Sequence, residues 1–407
     1  MASVTSARTG QLFGHQPFLL YFWGRVFSEF SYQMVTVAVG WQLYALTNSA
    51  FALGVLGLVE FAPTALLIFV AGHAADRYDR KRVVQLCQTL EGLTAAFLAW
   101  GSFGGWLNVP EIFIAMAVFG TAMAFESPAT AALLPGVAPE GLMQKGTAFS
   151  TAALQLAIIC GPAIGGLTYA IAPGVPYVIV SVFWILGGML NGAIKLDQPV
   201  TAREPPTKDD LFAGVRYVRH NPAILGTISL DLFAVLLGGA TALMPIYARD
   251  ILHTGPWGLG VLRGAPAVGA LLMTAVLARH AINRRAGIRM FQAVIVFGLA
   301  TVAFAVSRTL WLSLLALAIM GAADTVSVVI RVSLVQLGTP DAMRGRVGAV
   351  NYLFVNASNQ LGQFESGVTA ALLGAMPSAV VGGLGTIAVA LLWMKLFPTL
   401  RSVEQLE

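Results

Sequence analysis

The chain has 407 residues, 57% of them hydrophobic and 11% charged, with a mean hydropathy of +0.77. Soluble domains carry about 25% charged residues, so this balance excludes a soluble globular protein; 43 glycines without a three-residue period exclude collagen, and two cysteines exclude a disulfide scaffold. The net charge of +5 rests on basic residues placed as orientation signals, and it carries no argument for nucleic acid.

Windows of about 19 residues give twelve apolar segments. The first six are 18–46, 51–71, 83–103, 112–134, 147–170 and 175–194. After a polar stretch come 223–248, 258–278, 288–306, 310–329, 350–373 and 378–396. These runs are continuous and long, which predicts membrane helices rather than alternating barrel strands. The first sixteen residues hold one Arg and no apolar core, so the first run is expected to be a retained span. Cys87 and Cys160 fall in apolar stretches and are expected as free thiols.

Lys and Arg set the orientation. With a cytoplasmic N-terminus, 19 of the 24 fall on the cytoplasmic side, only Arg249 and Arg308 on the other, and Arg25, Arg263 and Arg331 within spans. Such a bias predicts both termini in the cytoplasm. Trp100, Trp106, Trp257 and Trp311 cluster at the outer ends of spans, as an interfacial belt does.

The longest loop divides the chain into an N-terminal six-helix bundle (1–194), a cytoplasmic linker (195–222) and a C-terminal six-helix bundle (223–407). Its second part sets Leu211, Phe212, Val215 and Val218 against Arg216, Arg219 and His220, predicting a short amphipathic helix on the membrane surface. The halves echo one another. Leu53-Gly54-Val55-Leu56 recurs as Leu259-Gly260-Val261-Leu262, the segment 73–77 recurs at 280–284, and Pro139-Glu140 recurs as Pro340-Asp341. Three matches in register order predict a duplicated six-helix unit, with two pseudo-symmetric bundles around a midplane pathway. The fold class is an all-α polytopic membrane protein.

The loop from Gly72 to Arg82 is dense in chemistry. Gly72 permits a tight exit from a helix, Asp76 can accept hydrogen bonds from Arg residues or a helix N-terminus, and Arg77, Arg80, Lys81 and Arg82 face the inner leaflet. On spacing alone it is either a latch or a topogenic charge run. In the fifth span, Gly161-Pro162-Ala163-Ile164-Gly165-Gly166 allows close helix approach and a bend.

Charges inside spans are functional candidates by default. Arg25, Glu29 and Gln33 share one face of the first span, and Arg25 can pair with Glu29. Glu60, Glu91, Glu126 and Asp231 lie in the second, third, fourth and seventh spans. Asp324 and Arg331 share a face of the tenth; Asn356, Gln360 and Gln363 share a face of the eleventh, with Asn359 adjacent. Two readings stand. Either these residues line a substrate cavity in which a buried carboxylate exchanges a proton, or the charges are neutralised pairs that hold helices together. Glu60 lacks a sequence-local cation and leads the proton candidates, ahead of Glu29 and Asp231.

The sequence resembles the major facilitator superfamily. Its signature loop, Gly-x-x-x-Asp-Arg-x-Gly-Arg-Arg/Lys, is matched by Gly72, Asp76, Arg77, Arg80 and Lys81, with Asp79 in place of the second Gly. That substitution is similar to the branch of siderophore (enterobactin) and multidrug exporters. Further similarity lies in Ser127-Pro128-Ala129, Asp231-Leu232-Phe233, Ile330-Arg331, the run 339–347 and the run 357–362. The resemblance implies the major facilitator fold, a gate latch at Gly72, Asp76, Arg77 and Arg80, and an export-associated antiporter motif at Gly161, Pro162, Gly165 and Gly166. Many proton-coupled drug antiporters of the superfamily carry an Arg in the fourth span, and this one has none, so their proton relay does not transfer.

The expected function is therefore secondary active export of a small amphipathic molecule, a siderophore or a drug, from the bacterial inner membrane by alternating access with proton antiport. A broad-range multidrug pump is the alternative. No Gly-x-x-x-x-Gly-Lys-Ser/Thr loop, metal-ligand spacing or Ser-His-Asp arrangement appears, and the five His residues are scattered over separate loops. No cofactor, metal or enzymatic activity is expected, nor a separate sensor domain; the expected partners are a small-molecule substrate, the lipid bilayer and protons, for a monomer.

Overall fold

The computed structural model describes residues 12–195, 208–280 and 284–404. Its long helices are α1 (Gln16–Thr47), α2 (Ala50–Arg77), α3 (Arg80–Gly104), α4 (Val109–Val137), α5 (Met143–Ile171) and α6 (Val175–Gly192). They continue as α7 (Lys208–His220), α8 (Pro222–Leu237), α9 (Gly255–Arg279), α10 (Ala286–Val306), α11 (Leu310–Leu337), α12 (Asp341–Leu373) and α13 (Ala375–Leu396). Among the described residues, nine helical segments are long and apolar enough to cross a membrane. The remaining long ones, α1, α3 and α12, have 32, 25 and 33 residues. They have the length but less apolar composition, because they carry Arg25, Glu29 and Gln33, Gln88 and Glu91, and the Asn/Gln series of α12. No strand occurs among the described residues, as the continuous apolar runs require.

Local chemistry sets the helix ends. Asp79 caps α3 by accepting from the Lys81 backbone N–H at 3.2 Å, and Gly105, at φ +68°, ends it in the left-handed conformation. Asn108 and Glu111 form a capping box at the start of α4. Asn221 accepts from the Ile224 N–H ahead of Pro222, which opens α8 at a position that needs no backbone donor.

Two predictions change. The expected helix exit at Gly72 is not there: α2 runs on to Arg77, Gly72 has no positive φ, and a methyl group added to it would meet nothing within 4 Å. The uninterrupted span 223–248 is also broken. Gly238 and Gly239 end α8, and the chain passes through a 3-10 turn (Ala240–Leu243) and one α-turn (Met244–Ile246) into a π-turn (Tyr247–Ile251). Gly239 lies against the Gly362 carbonyl of α12, an approach that a side chain would obstruct.

The chain divides into two compact units, Met1–Leu46 with Val59–Pro205, and Thr47–Leu58 with Pro206–Glu407. In the first, α3 packs against α4 and α6; in the second, α10 packs against α11 and α13, the same places in the duplicated order. The correspondence extends to single residues. Gly120 of α4 lies against the Glu60 carbonyl of α2, and Gly321 of α11 lies against the Pro266 carbonyl of α9. Those offsets, 201 and 206, equal two of the three in the sequence echoes.

The core of the first unit gathers Phe18, Tyr21, Leu133, Leu134, Val137 and Ile194, and that of the second gathers Leu230, Met290, Phe291, Val294, Ile330 and Leu400. Helix α7 packs against the protein along part of its apolar face. Val218 is buried with Ile224, Val335, Val347 and Val350, Tyr217 donates to the Gly338 carbonyl at 3.1 Å, and Gly214 lies against the Arg346 backbone. Val215 of the same face is exposed, and the Leu211 and Phe212 side chains lie outside the described residues.

Candidate functional site

Each unit contains a polar cavity. In the second it measures about 440 Å³ and is lined by Asp231 of α8, Asp324 and Arg331 of α11, and Asn351, Tyr352 and Asn359 of α12, among others. The Arg331 guanidinium forms ion pairs with Asp231 and, at 3.6 Å, with Asp324. Asp231 and Arg331 are 8% and 9% exposed, so the pair is withdrawn from solvent and holds α8 to α11. The predicted Asp324–Arg331 face thus exists, and the fold adds Asp231 to it.

Of the four α12 candidates, Asn359 lines this cavity. Asn351, Val355 and Asn359 line the cavity at four-residue spacing, whereas Asn356, Gln360 and Gln363 do not. Asn356 donates to the Tyr352 carbonyl of its own helix. Gln360 and Gln363 instead lie by Gly57, and the Gln360 Oε1 is buried without a hydrogen-bond partner. Extending the Asn359 series backwards in steps of four would have found Asn351 from sequence.

In the first unit a cavity of about 160 Å³ is lined by Arg25, Ser28 and Glu29 of α1, Glu91 of α3, Glu126 of α4 and Trp184 of α6, among others. Arg25 pairs with Glu29 at 3.4 Å, as predicted, and donates to the Tyr21 hydroxyl at 3.2 Å. Behind them lies a network that the linear sequence hides. Glu126 accepts from Ser28 Oγ at 2.8 Å and from Gln88 Nε2 at 2.7 Å; Trp184 donates to Ser28, and Asn191 to Gln88. The i,i+3 spacing of Gln88 and Glu91 was its one legible signal.

Glu60 and Gln33 do not line this cavity. Glu60 accepts from the Tyr32 hydroxyl at 2.7 Å, so its partner is a donor on α1 rather than a cation on its own helix. Gln33 faces the glycine motif of α5: Gly161 lies against its Cβ and Gly165 against the Met34 backbone. Pro162 and Gly166 are buried in the same helix. In the 72–82 loop, Arg80 donates to the Ala132 carbonyl at 3.1 Å and Lys81 to that of Ile194 at 2.9 Å. Arg77 is exposed at the end of α2, and the Asp76 side chain lies outside the described residues.

The profile of the Major Facilitator Superfamily matches residues 21–363. The chain belongs to the Major Facilitator Superfamily. The Enterobactin exporter EntS of Citrobacter koseri is 28% identical to this superfamily member over 402 residues, covering 96% of this chain and 94% of the relative. The Multidrug efflux pump Tap of Mycobacterium tuberculosis is 27% identical over 390 residues, 90% of each chain. Among solved structures, the nucleoside transporter NupG (D323A mutant) superposes with a TM-score of 0.75 at 12% identity, over 94% of this chain and 100% of that one. A bacterial homologue of the iron transporter ferroportin in an inward-facing state gives 0.71 at 18% identity, over 95% and 99%. At these identities the structures establish the major facilitator fold, and the family establishes a multi-pass membrane transporter acting on small molecules rather than an enzyme.

Proposed function

We propose that this transporter exports a small amphipathic molecule from the bacterial inner membrane by alternating access, in exchange for protons, with both termini in the cytoplasm. The observation that carries this reading is the 440 Å³ cavity of the second unit, which sets Arg331 between Asp231 and Asp324 beside Asn351, Tyr352 and Asn359. That volume lies in the range of small-molecule sites, and the lining offers charge of both signs, amide groups and a phenol to a ligand with polar and apolar parts. The likeness to both an enterobactin exporter and a multidrug pump supports a siderophore or drug as cargo.

The chain works as a monomer in this reading. Asp76, Arg77 and Arg80, with Gly72, form the gate latch, and Gly161, Pro162, Gly165 and Gly166 form the antiporter motif that lets α5 approach α1. Arg25, Glu29, Gln33, Asn356, Gln360 and Gln363 belong to the polar surface that substrate passes. Glu60, Glu29 and Asp231 remain proton candidates, and each is held by a donor: Tyr32, Arg25 and Arg331.

Efflux from proteoliposomes under an imposed pH gradient tests the reading, with an iron-free catecholate siderophore and a lipophilic cation as paired cargoes. Siderophore movement alone assigns a dedicated exporter, with Arg331 as the anion contact. Movement of the cation assigns the broad-range pump, with Asp231 and Asp324 as counter-charges. A gradient that moves neither overturns the export proposal.

A further inference from the structure

Three carboxylates of the first unit, Glu29, Glu91 and Glu126, line one cavity. On helices packed against each other, the side chains of Glu91 on α3 and Glu126 on α4 line it together. They are 3% and 7% exposed. A carboxylate only accepts hydrogen bonds, so two such groups can bond to each other only by holding a proton between them. Two ionised groups at that separation would repel in a medium that screens poorly.

The surroundings fit a proton that comes and goes. Glu126 already accepts from Ser28 and Gln88, donors positioned for an ionised carboxylate, and these are fixed in turn by Trp184 and Asn191 of α6. Glu91 Oε2 is buried without a hydrogen-bond partner and belongs to a residue lining the 160 Å³ cavity. Thr130 Oγ1 and Arg25 Nε, on residues lining the same cavity, are likewise buried without partners. A polar cavity of this size has room for several waters, which would satisfy all three and carry a proton. The titratable groups facing the pair are Arg25, Glu29 and Tyr32 from α1 and Cys87 on α3; from α6 come Trp184 and Asn191, which do not titrate.

We propose that Glu91 and Glu126 form the proton-loading site of this transporter, a carboxyl–carboxylate pair on α3 and α4 that binds and releases one proton through the Arg25-lined cavity. On loading, a hydronium ion gives its proton to the pair and leaves water. On release, the proton returns to cavity water as hydronium, and the second negative charge is held by Ser28, Gln88 and Arg25. No bond other than O–H is made or broken. The proposal rests on the proton-antiport reading above only for its coupling role.

Two measurements separate the parts. Infrared difference spectra of the purified protein, taken across a pH titration, report the C=O stretch of a protonated carboxylic acid. Part of the wild-type band is expected to vanish in Glu91→Gln and in Glu126→Gln and to survive in Glu60→Gln. Ser28→Ala keeps both carboxyls and is expected to change the pH at which that part titrates. If all of Glu91→Gln, Glu126→Gln and Ser28→Ala retain the wild-type band and curve, the proposal is overturned. A band that shrinks as choline is replaced by sodium at fixed pH also overturns it, making the pair a cation site.

In proteoliposomes loaded with ethidium under an imposed pH gradient, Glu126→Gln is expected to lose gradient-driven movement while retaining exchange of labelled ethidium without a gradient. Driven movement equal to wild type overturns the coupling role. If the wild-type protein moves no ethidium under any gradient, the broad-range pump reading fails and the infrared titration still decides the pair.

Discussion

Arg331 and Asp231 sit together almost out of reach of solvent, with Asp324 on the far side of the same guanidinium. Removing one partner from such a pair leaves a buried charge uncompensated. Arg331→Gln is therefore expected to cost about 3–5 kcal/mol, read as a lower unfolding temperature of the purified protein. The double variant Asp231→Asn/Arg331→Gln should recover most of that loss. Transport then separates the two readings that the sequence left open. Stability regained without transport assigns the triad to the cargo; stability and transport regained together make it a brace between α8 and α11. Asp79 makes a smaller point. The family has Gly where this chain has Asp, and here the carboxylate caps α3. Asp79→Ala should cost about 1 kcal/mol and Asp79→Gly a few tenths, since Gly is itself tolerated as an N-cap. Equal losses in thermal unfolding would remove the capping role.

Between elements, glycines decide how closely helices approach. Gly120 and Gly321 meet the carbonyls of Glu60 and Pro266, backbone atoms that cannot swing aside. Gly120→Ala and Gly321→Ala should each destabilise by about 1–3 kcal/mol through overpacking. Gly72→Ala should leave the unfolding temperature unchanged or raise it, because its added methyl meets nothing and Ala is the better helix former. A fall in Gly72→Ala equal to that in Gly120→Ala would contradict the difference in their surroundings. Sequence pattern placed these helices well because apolar runs of membrane length have one stable conformation in lipid. It missed the break after α8, since Gly238-Gly239 in an apolar run reads the same whether the helix bends or continues. The break is stabilised from outside the segment: Gly239 abuts α12, and Tyr247 donates to the Ala305 carbonyl of α10 at 3.0 Å.

Across the whole molecule, residues 47–58 at the start of α2 group with the second unit rather than with the rest of their helix. There Gly54 lies backbone to backbone against Gly367, and a Cβ on Gly57 would stand 3.4 Å from that of Gln363. That separation is just under the disulfide range of about 3.5–4.5 Å, so a small shift admits the bond. In a Cys87→Ala/Cys160→Ala background, Gly57→Cys with Gln363→Cys should cross-link on oxidation and arrest transport, and reductant should restore the rate of the unoxidised variant. Full transport by the cross-linked protein would show that this contact need not part during the cycle. The membrane class, the duplicated plan and the identity of the charged residues within spans were all determined by sequence alone, because lipid imposes length, apolarity and charge placement on each segment separately. Which charges meet was decided only by tertiary structure. Glu126 finds Ser28, Gln88 and Glu91 on two other helices, and Asp231 finds Arg331 a hundred residues away. Helix periodicity fixes a side chain's direction only relative to its own axis, and the rotation and approach of neighbouring helices come from small residues packing between them.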